Sequence, residues 1–201
     1  MTVRENPLAA LVLKQLTGAE PLHYKDEPLP HTVLSFWRWS ASNLAGNNLR
    51  GHFAEFLVAS DIGTTDGCRV EWDGCDLRTP KGLKIEVKSA AYVQSWEQEK
   101  HSSISFNIRR SYYWNTDDGG RSEVEGRWSD AYVFCVLHHK DKKTLDPLNL
   151  DQWDFYVMPT EALDRECGNQ KTISLNALLN LKPKKCAYGK IGATIERVCG
   201  R

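Results

Sequence analysis

The chain lacks an excess of either charge: 26 Lys and Arg face 26 Asp and Glu across 201 residues, for a formal charge of zero. No global field therefore attracts a polyanion, and any nucleic-acid partner has to be argued from a local site or surface. Apolar runs of bilayer length are also missing, so no membrane partner is expected. The six cysteines, at 68, 75, 135, 167, 186 and 199, form no CxxC pair and no zinc-ligand spacing. They are expected to stay reduced, several of them packed as small hydrophobes. Met1 to Pro7 is not followed by a signal-peptide core and cleavage site, so the expected location is cytoplasmic. Internal repeats and low-complexity blocks are absent as well.

What is present suits one domain with a real core, covering 1–201. Apolar residues from Leu8 to Leu16 predict a short helix ended by Gly18, and Pro21 to Pro30 reads as an extended connector. Thr32 to Trp39 is helical or irregular. Leu44, Leu49, Phe53, Phe56 and Leu57 recur at helical spacing, with Gly63 as the stop and Glu55 on the helix. Strands are expected near 68–79 and 83–90 and over 104–108. The continuous apolar run Ala131–Leu137 suits a strand covered on both faces. Another strand is expected at Trp153–Met158, followed by a helix from Pro159 or Thr160. Ser174 to Leu179 is a helical fragment and Lys182 to Lys185 a basic segment. This order predicts an α/β (α+β) domain with a mixed sheet: an N-terminal helical extension to residue 44, a core over 45–160 and a helical, basic C-terminal segment over 161–201.

The most informative stretch is Asp76 to Lys88. Thr79-Pro80-Lys81-Gly82-Leu83 has the chemistry of a three-residue hairpin loop: Pro80 presets the first turn angle and Gly82 can adopt the left-handed conformation that closes it. If Thr79 pairs with Leu83, Asp76 falls opposite Glu86, and Lys88 shares the face of Glu86. Like charges directly opposite are destabilising unless compensated. A divalent cation would compensate them, and hard oxygen donors favour Mg²⁺, with Mn²⁺ as a substitute. Such an ion polarises a phosphoryl oxygen and lowers the pKa of bound water. Lys88 could orient that water and offset transition-state charge, with Glu55 supporting the site. Asp73 is a second candidate for the first acid, which a bulge near Gly74 would favour.

Asp76, a nine-residue gap, then Glu86-Val87-Lys88, preceded by a helix bearing Glu55, resembles the PD-(D/E)xK nuclease superfamily. The resemblance spans about residues 45–160, with Cys75 where that pattern nominally has Pro. It implies a restriction-endonuclease-like core, a mixed central sheet flanked by helices. It also implies Asp76, Glu86 and the Val87 carbonyl as metal ligands, Lys88 as the catalytic lysine and Glu55 as the helix acid. The expected activity is Mg²⁺-dependent hydrolysis of phosphodiester bonds in DNA, in restriction, defence or repair, by a possible homodimer or beside a partner protein. A catalytically silent module of the same fold, binding nucleic acid or a protein, is the alternative.

Ser89 and Gln94 follow the lysine closely enough to touch phosphate or water. Arg109, Arg110, Arg121, Arg127 and the Lys182–Lys185 cluster are further candidates for phosphate contacts. Tyr112-Tyr113-Trp114 could stack on bases. Trp37, Trp39, Trp72, Trp96, Trp128 and Trp153 are expected to pack.

Overall fold

The computed structural model describes residues 11–69, 74–114 and 120–200. These divide into two compact units: 11–42 with 66–69, and 43–65 with the described residues from 74 onward.

In the first unit the proline-rich connector is a hairpin. Strands β1 (Pro21–Tyr24) and β2 (Glu27–Thr32) pair antiparallel around Lys25 and Asp26, both at positive φ. Two left-handed residues in a two-residue loop match the twist of paired strands, so the turn chemistry overrides the prolines. Helix α1 (Val33–Ala41) follows, capped reciprocally by Thr32 and Ser35. The described part of the expected Leu8–Leu16 helix, residues 11–16, is not helical, and Leu11 and Val12 are exposed. A segment this short has too few bonds to offset helix nucleation without apolar contacts.

The second unit opens with α2 (Asn47–Asp61), the expected long helix. Gly63, at φ +71, ends it: the Gly63 amide donates to the Ser60 carbonyl and the Thr64 amide to the Ala59 carbonyl. This is the Schellman pattern, which satisfies the last free carbonyls of the helix. The remaining strands and α-helices are β3 (Leu77–Arg78), β4 (Lys84–Ala91), β5 (Ser105–Asn107), β6 (Ser111–Trp114), β7 (Arg121–Gly126), β8 (Ala131–Leu137), β9 (Trp153–Pro159), α3 (Thr160–Cys167), β10 (Thr172–Ser174), α4 (Leu175–Asn180), β11 (Lys184–Cys186) and α5 (Ile191–Val198), with a 3-10 turn at Leu150–Gln152 before β9. The unit is a mixed α/β fold around a five-stranded sheet of order β11-β9-β8-β4-β3. Only β4 and β8 run parallel; the other pairs are antiparallel.

Helices α2 and α5 cover one face, where Ala54, Leu57, Val58, Ile191 and Ile195 pack on Ile85, Val87, Val133, Phe155 and Val157. On the other face, α3, α4 and the small β5–β10 sheet bring Leu163, Leu178, Phe106 and Ile173 onto Phe134, Val136, Tyr156 and Met158. Every residue of β8 is buried, as its unbroken apolar run requires. The C-terminal segment thus belongs to the sheet unit, since β11 forms one edge of the sheet and α5 completes a core layer.

Candidate active site

The site begins with the β3–β4 turn. The Gly82 amide donates to the Thr79 carbonyl at 2.8 Å, the Thr79 amide to the Leu83 carbonyl at 2.9 Å, and Gly82 sits at φ +82. This is the bulged three-residue loop that Pro80 and Gly82 predict, and it sets the expected register, Leu77 with Ile85 and Arg78 with Lys84. Gly74 lies under the Tyr113 ring so closely that a Cβ there would come within 1.9 Å of it. Asp73 lies outside the described residues.

Regular pairing stops at Asp76. Its amide donates to the Ile85 carbonyl at 3.1 Å, although Ile85 is already the register partner of Leu77. Its carboxylate accepts the Val87 amide at 2.7 Å. In an extended strand the N–H and C=O of one residue point to the same side, so the Val87 carbonyl faces the edge where Asp76 stands.

Glu86 and Lys88 pair in register with Tyr132 and Phe134 and so share the face of the second core. Their side chains are only 23% and 27% exposed and form an ion pair at 2.5 Å. They are therefore not the solvated side of an amphipathic strand. The Ser129 hydroxyl donates to the other Glu86 oxygen at 3.4 Å. Below them the strand ends are tied together: the Lys84 amide donates to the Asp130 carboxylate at 2.8 Å and the Asp130 amide to the Lys84 carbonyl at 2.7 Å.

Burial and the neighbouring Glu86 charge push the Asp76 carboxyl up to about 6, with Glu55 adding to the rise against Lys88 and the Val87 hydrogen bond. Burial alone would lower Lys88, but Glu86, Asp76 and Glu55 overrule it and raise its pKa, so its ammonium stays charged. Four of the expected residues, Glu55, Asp76, Glu86 and Lys88, thus share one electrostatic neighbourhood although they come from a helix, a turn flank and a strand. Among the described residues no group of three or more His, Cys, Asp or Glu could hold a metal. The donors on offer are two carboxylates and a strand carbonyl, a hard set that suits an ion keeping several waters.

Two residues beside the site carry no sequence signal of their own. Tyr132, the register partner of Glu86, is 4% exposed, and burial followed by the Glu86 charge raises its pKa. Arg50, five residues before Glu55 on α2, is 2% exposed. Its guanidinium donates to Ser89 Oγ (3.2 Å), Gln94 Oε1 (3.1 Å), the Ala45 carbonyl (3.2 Å) and Asn47 Oδ1. Burial lowers its pKa. Both signals are tertiary, because an arginine on a helix normally reads as solvated.

The other candidates fall elsewhere. Ser89 and Gln94 are tied to Arg50, and the Gln94 amide also donates to the Ala91 carbonyl and Ser102 Oγ. Arg127 is buried, bonded to the Ile108 and Gln170 carbonyls and to Asp164, so it cannot track a phosphate backbone. Arg110 pairs with the same Asp164 at 2.9 Å, whereas Arg109 is exposed. The Arg121 and Trp114 side chains lie outside the described residues, as does Trp72. Trp153 packs on Phe53 and Phe155, and Trp128 on Tyr113. Trp37, Trp39 and Trp96, by contrast, are exposed, at 38%, 85% and 54%. Among the described residues no helix is long and apolar enough to cross a membrane. No protein-family model matches the chain, and no curated protein is significantly similar to it.

Proposed function

We propose that the chain is a Mg²⁺-dependent nuclease with a restriction-endonuclease-like core of the PD-(D/E)xK type, hydrolysing phosphodiester bonds in DNA. The observation that carries this reading is the Asp76 carboxylate on the Val87 amide, beside Glu86 and the charged Lys88. A carboxyl whose pKa is raised by burial and then by a second carboxylate is a site that a cation would relieve. Asp76, Glu86 and the Val87 carbonyl would hold the ion, which when bound supplies Lewis-acid polarisation of a phosphoryl oxygen and a more acidic water. Lys88, kept cationic by its neighbours, orients the attacking water and offsets charge on the phosphoryl oxygens. Glu55 adds negative charge from the helix side and would support the bound ion.

Cleavage of plasmid and oligonucleotide DNA with Mg²⁺, Mn²⁺ or chelator tests the reading. Wild type should give metal-dependent product, and Glu86→Ala or Lys88→Ala should lose it while keeping the fold. Equal cleavage by all three proteins would refute it.

A second reading, a silent module that binds nucleic acid or a protein partner, draws support from the Lys88–Glu86 ion pair, which engages a carboxylate oxygen that a metal would otherwise use. It predicts salt-sensitive binding with no metal-dependent product.

A further inference from the structure

We propose that the β11–α5 unit is a docking surface for a nucleic-acid phosphate backbone, distinct from the carboxylate cluster. The choice of a nucleic acid rests on the nuclease reading; the surface itself rests on charge and geometry. Residues 182–201 hold six basic residues and one acidic residue, leaving 20 basic against 25 acidic in the rest of a chain with zero net charge. The single acid, Glu196, is engaged by Lys81 of the β3–β4 turn at 3.0 Å. Lys182, Lys184, Lys190 and Arg197 are exposed and, among the described residues, have no carboxylate partner. Lys185 is the exception, paired with Asp154 at 2.8 Å and lying over the Tyr156 ring.

These cations form one surface. Two open clefts of about 310 Å³ lie along it, one lined by Lys185, Lys190, Thr194 and Arg197, the other by Lys182, Lys184 and Arg197. Arg197 borders both and joins them. Lysines on an edge strand also discourage pairing with another sheet, which accounts for Lys184 and Lys185. It does not account for Lys182, Lys190 or Arg197, which lie off the strand. A row of unpaired cations along grooves matches the regular charge of a phosphate backbone, which such residues contact without reading sequence.

The position of the surface defines its role. Lys184, Val157, Val133 and Val87 stand in one row across the sheet, so three strand spacings, about 14 Å, separate Lys184 from β4, and Lys184 lies on the sheet face opposite Glu86 and Lys88. Groups that far from the reacting atoms contribute the same binding before and during the reaction. Their loss should therefore raise KM rather than lower kcat.

The test compares wild type, Glu86→Ala and a fourfold variant with Lys182, Lys184, Lys190 and Arg197 each changed to Gln, using a fluorescent DNA duplex over a series of salt concentrations. The single variant Lys184→Glu serves as a second, milder probe. The fourfold variant should bind at least tenfold more weakly, with a slope of log affinity against log salt shallower by about three to four units. Its loss of cleavage should fall on KM. Glu86→Ala should keep the wild-type slope while losing product, which separates this surface from the catalytic reading. An unchanged slope and affinity in the fourfold variant would overturn the proposal, as would wild type failing to bind DNA. Loss of binding to phosphatidylserine vesicles with DNA binding intact would assign the surface to a lipid and overturn it too.

Discussion

The Val87 amide donates to the Asp76 carboxylate at 2.7 Å, one residue beyond the point where strand pairing ends. That bond fixes the Asp76 side chain at the open edge of β4, next to Glu86, and it holds the carboxylate in a place where burial resists its charge.

The pH dependence of stability follows. The Asp76 carboxyl titrates at about 6 in the folded protein against an ordinary 3.8, so the folded state holds a proton that the unfolded chain has released. Its favourable contribution is complete below about pH 4 and is lost as pH rises to about 6. Asp76→Asn keeps an oxygen for the Val87 amide and removes the charge. The variant should be more stable than wild type at pH 7.5, by on the order of 2 kcal/mol, and equal to it near pH 4. Urea unfolding at the two pH values measures this, and a variant less stable at pH 7.5 would contradict it.

Tyr132 should matter for turnover rather than for folding. Its ring packs against Phe134, and its hydroxyl is near Glu86 with no hydrogen bond to any described residue. Tyr132→Phe removes only that hydroxyl. On the nuclease reading we expect kcat to fall about tenfold, the worth of one hydrogen bond that the hydroxyl would give a charged phosphoryl oxygen of the substrate, with KM and melting temperature nearly unchanged. A drop in melting temperature with normal kcat would assign the hydroxyl a purely structural role.

Arg50 should matter for folding. It ties the start of α2 to Ser89 at the end of β4 and to Gln94 beyond it. Arg50→Met leaves these acceptors unsatisfied and should cost about 2–4 kcal/mol by denaturant unfolding. Arg50→Lys should recover little, because one ammonium cannot span acceptors that a planar fork reaches together. A Met variant as stable as wild type would refute the assignment.

Gly74 admits no larger residue without movement of Tyr113. Gly74→Ala should cost about 1–3 kcal/mol, as overpacking does. Tyr113→Ala in the same chain should restore room and make the second change nearly silent, a coupling that a double-mutant cycle reads directly.

Much of the site was legible because local chemistry decided it. Pro80 and Gly82 selected a turn, the turn selected a register, and the register put Glu86 and Lys88 on one face beside Asp76. Gly63 ended α2 as its position predicted, and the apolar run of β8 announced burial on both faces. Residues whose roles depend on distant partners were not legible. Arg127 and Gln94 look like surface groups until Asp164 and Arg50 are seen to bury them. Trp39 and Trp96 look like core until the fold leaves them exposed.

By itself, then, the sequence determined the turns, the element periods and which chemistry-bearing residues share a strand face, because φ preferences and side-chain alternation act over a few residues. Only the tertiary structure decided that Glu55 approaches that strand, that Asp76 caps the Val87 amide, and that the basic tail becomes a sheet edge and a packed helix. Those outcomes depend on burial and hydrogen bonding between segments far apart in the chain, for which local propensity carries no information.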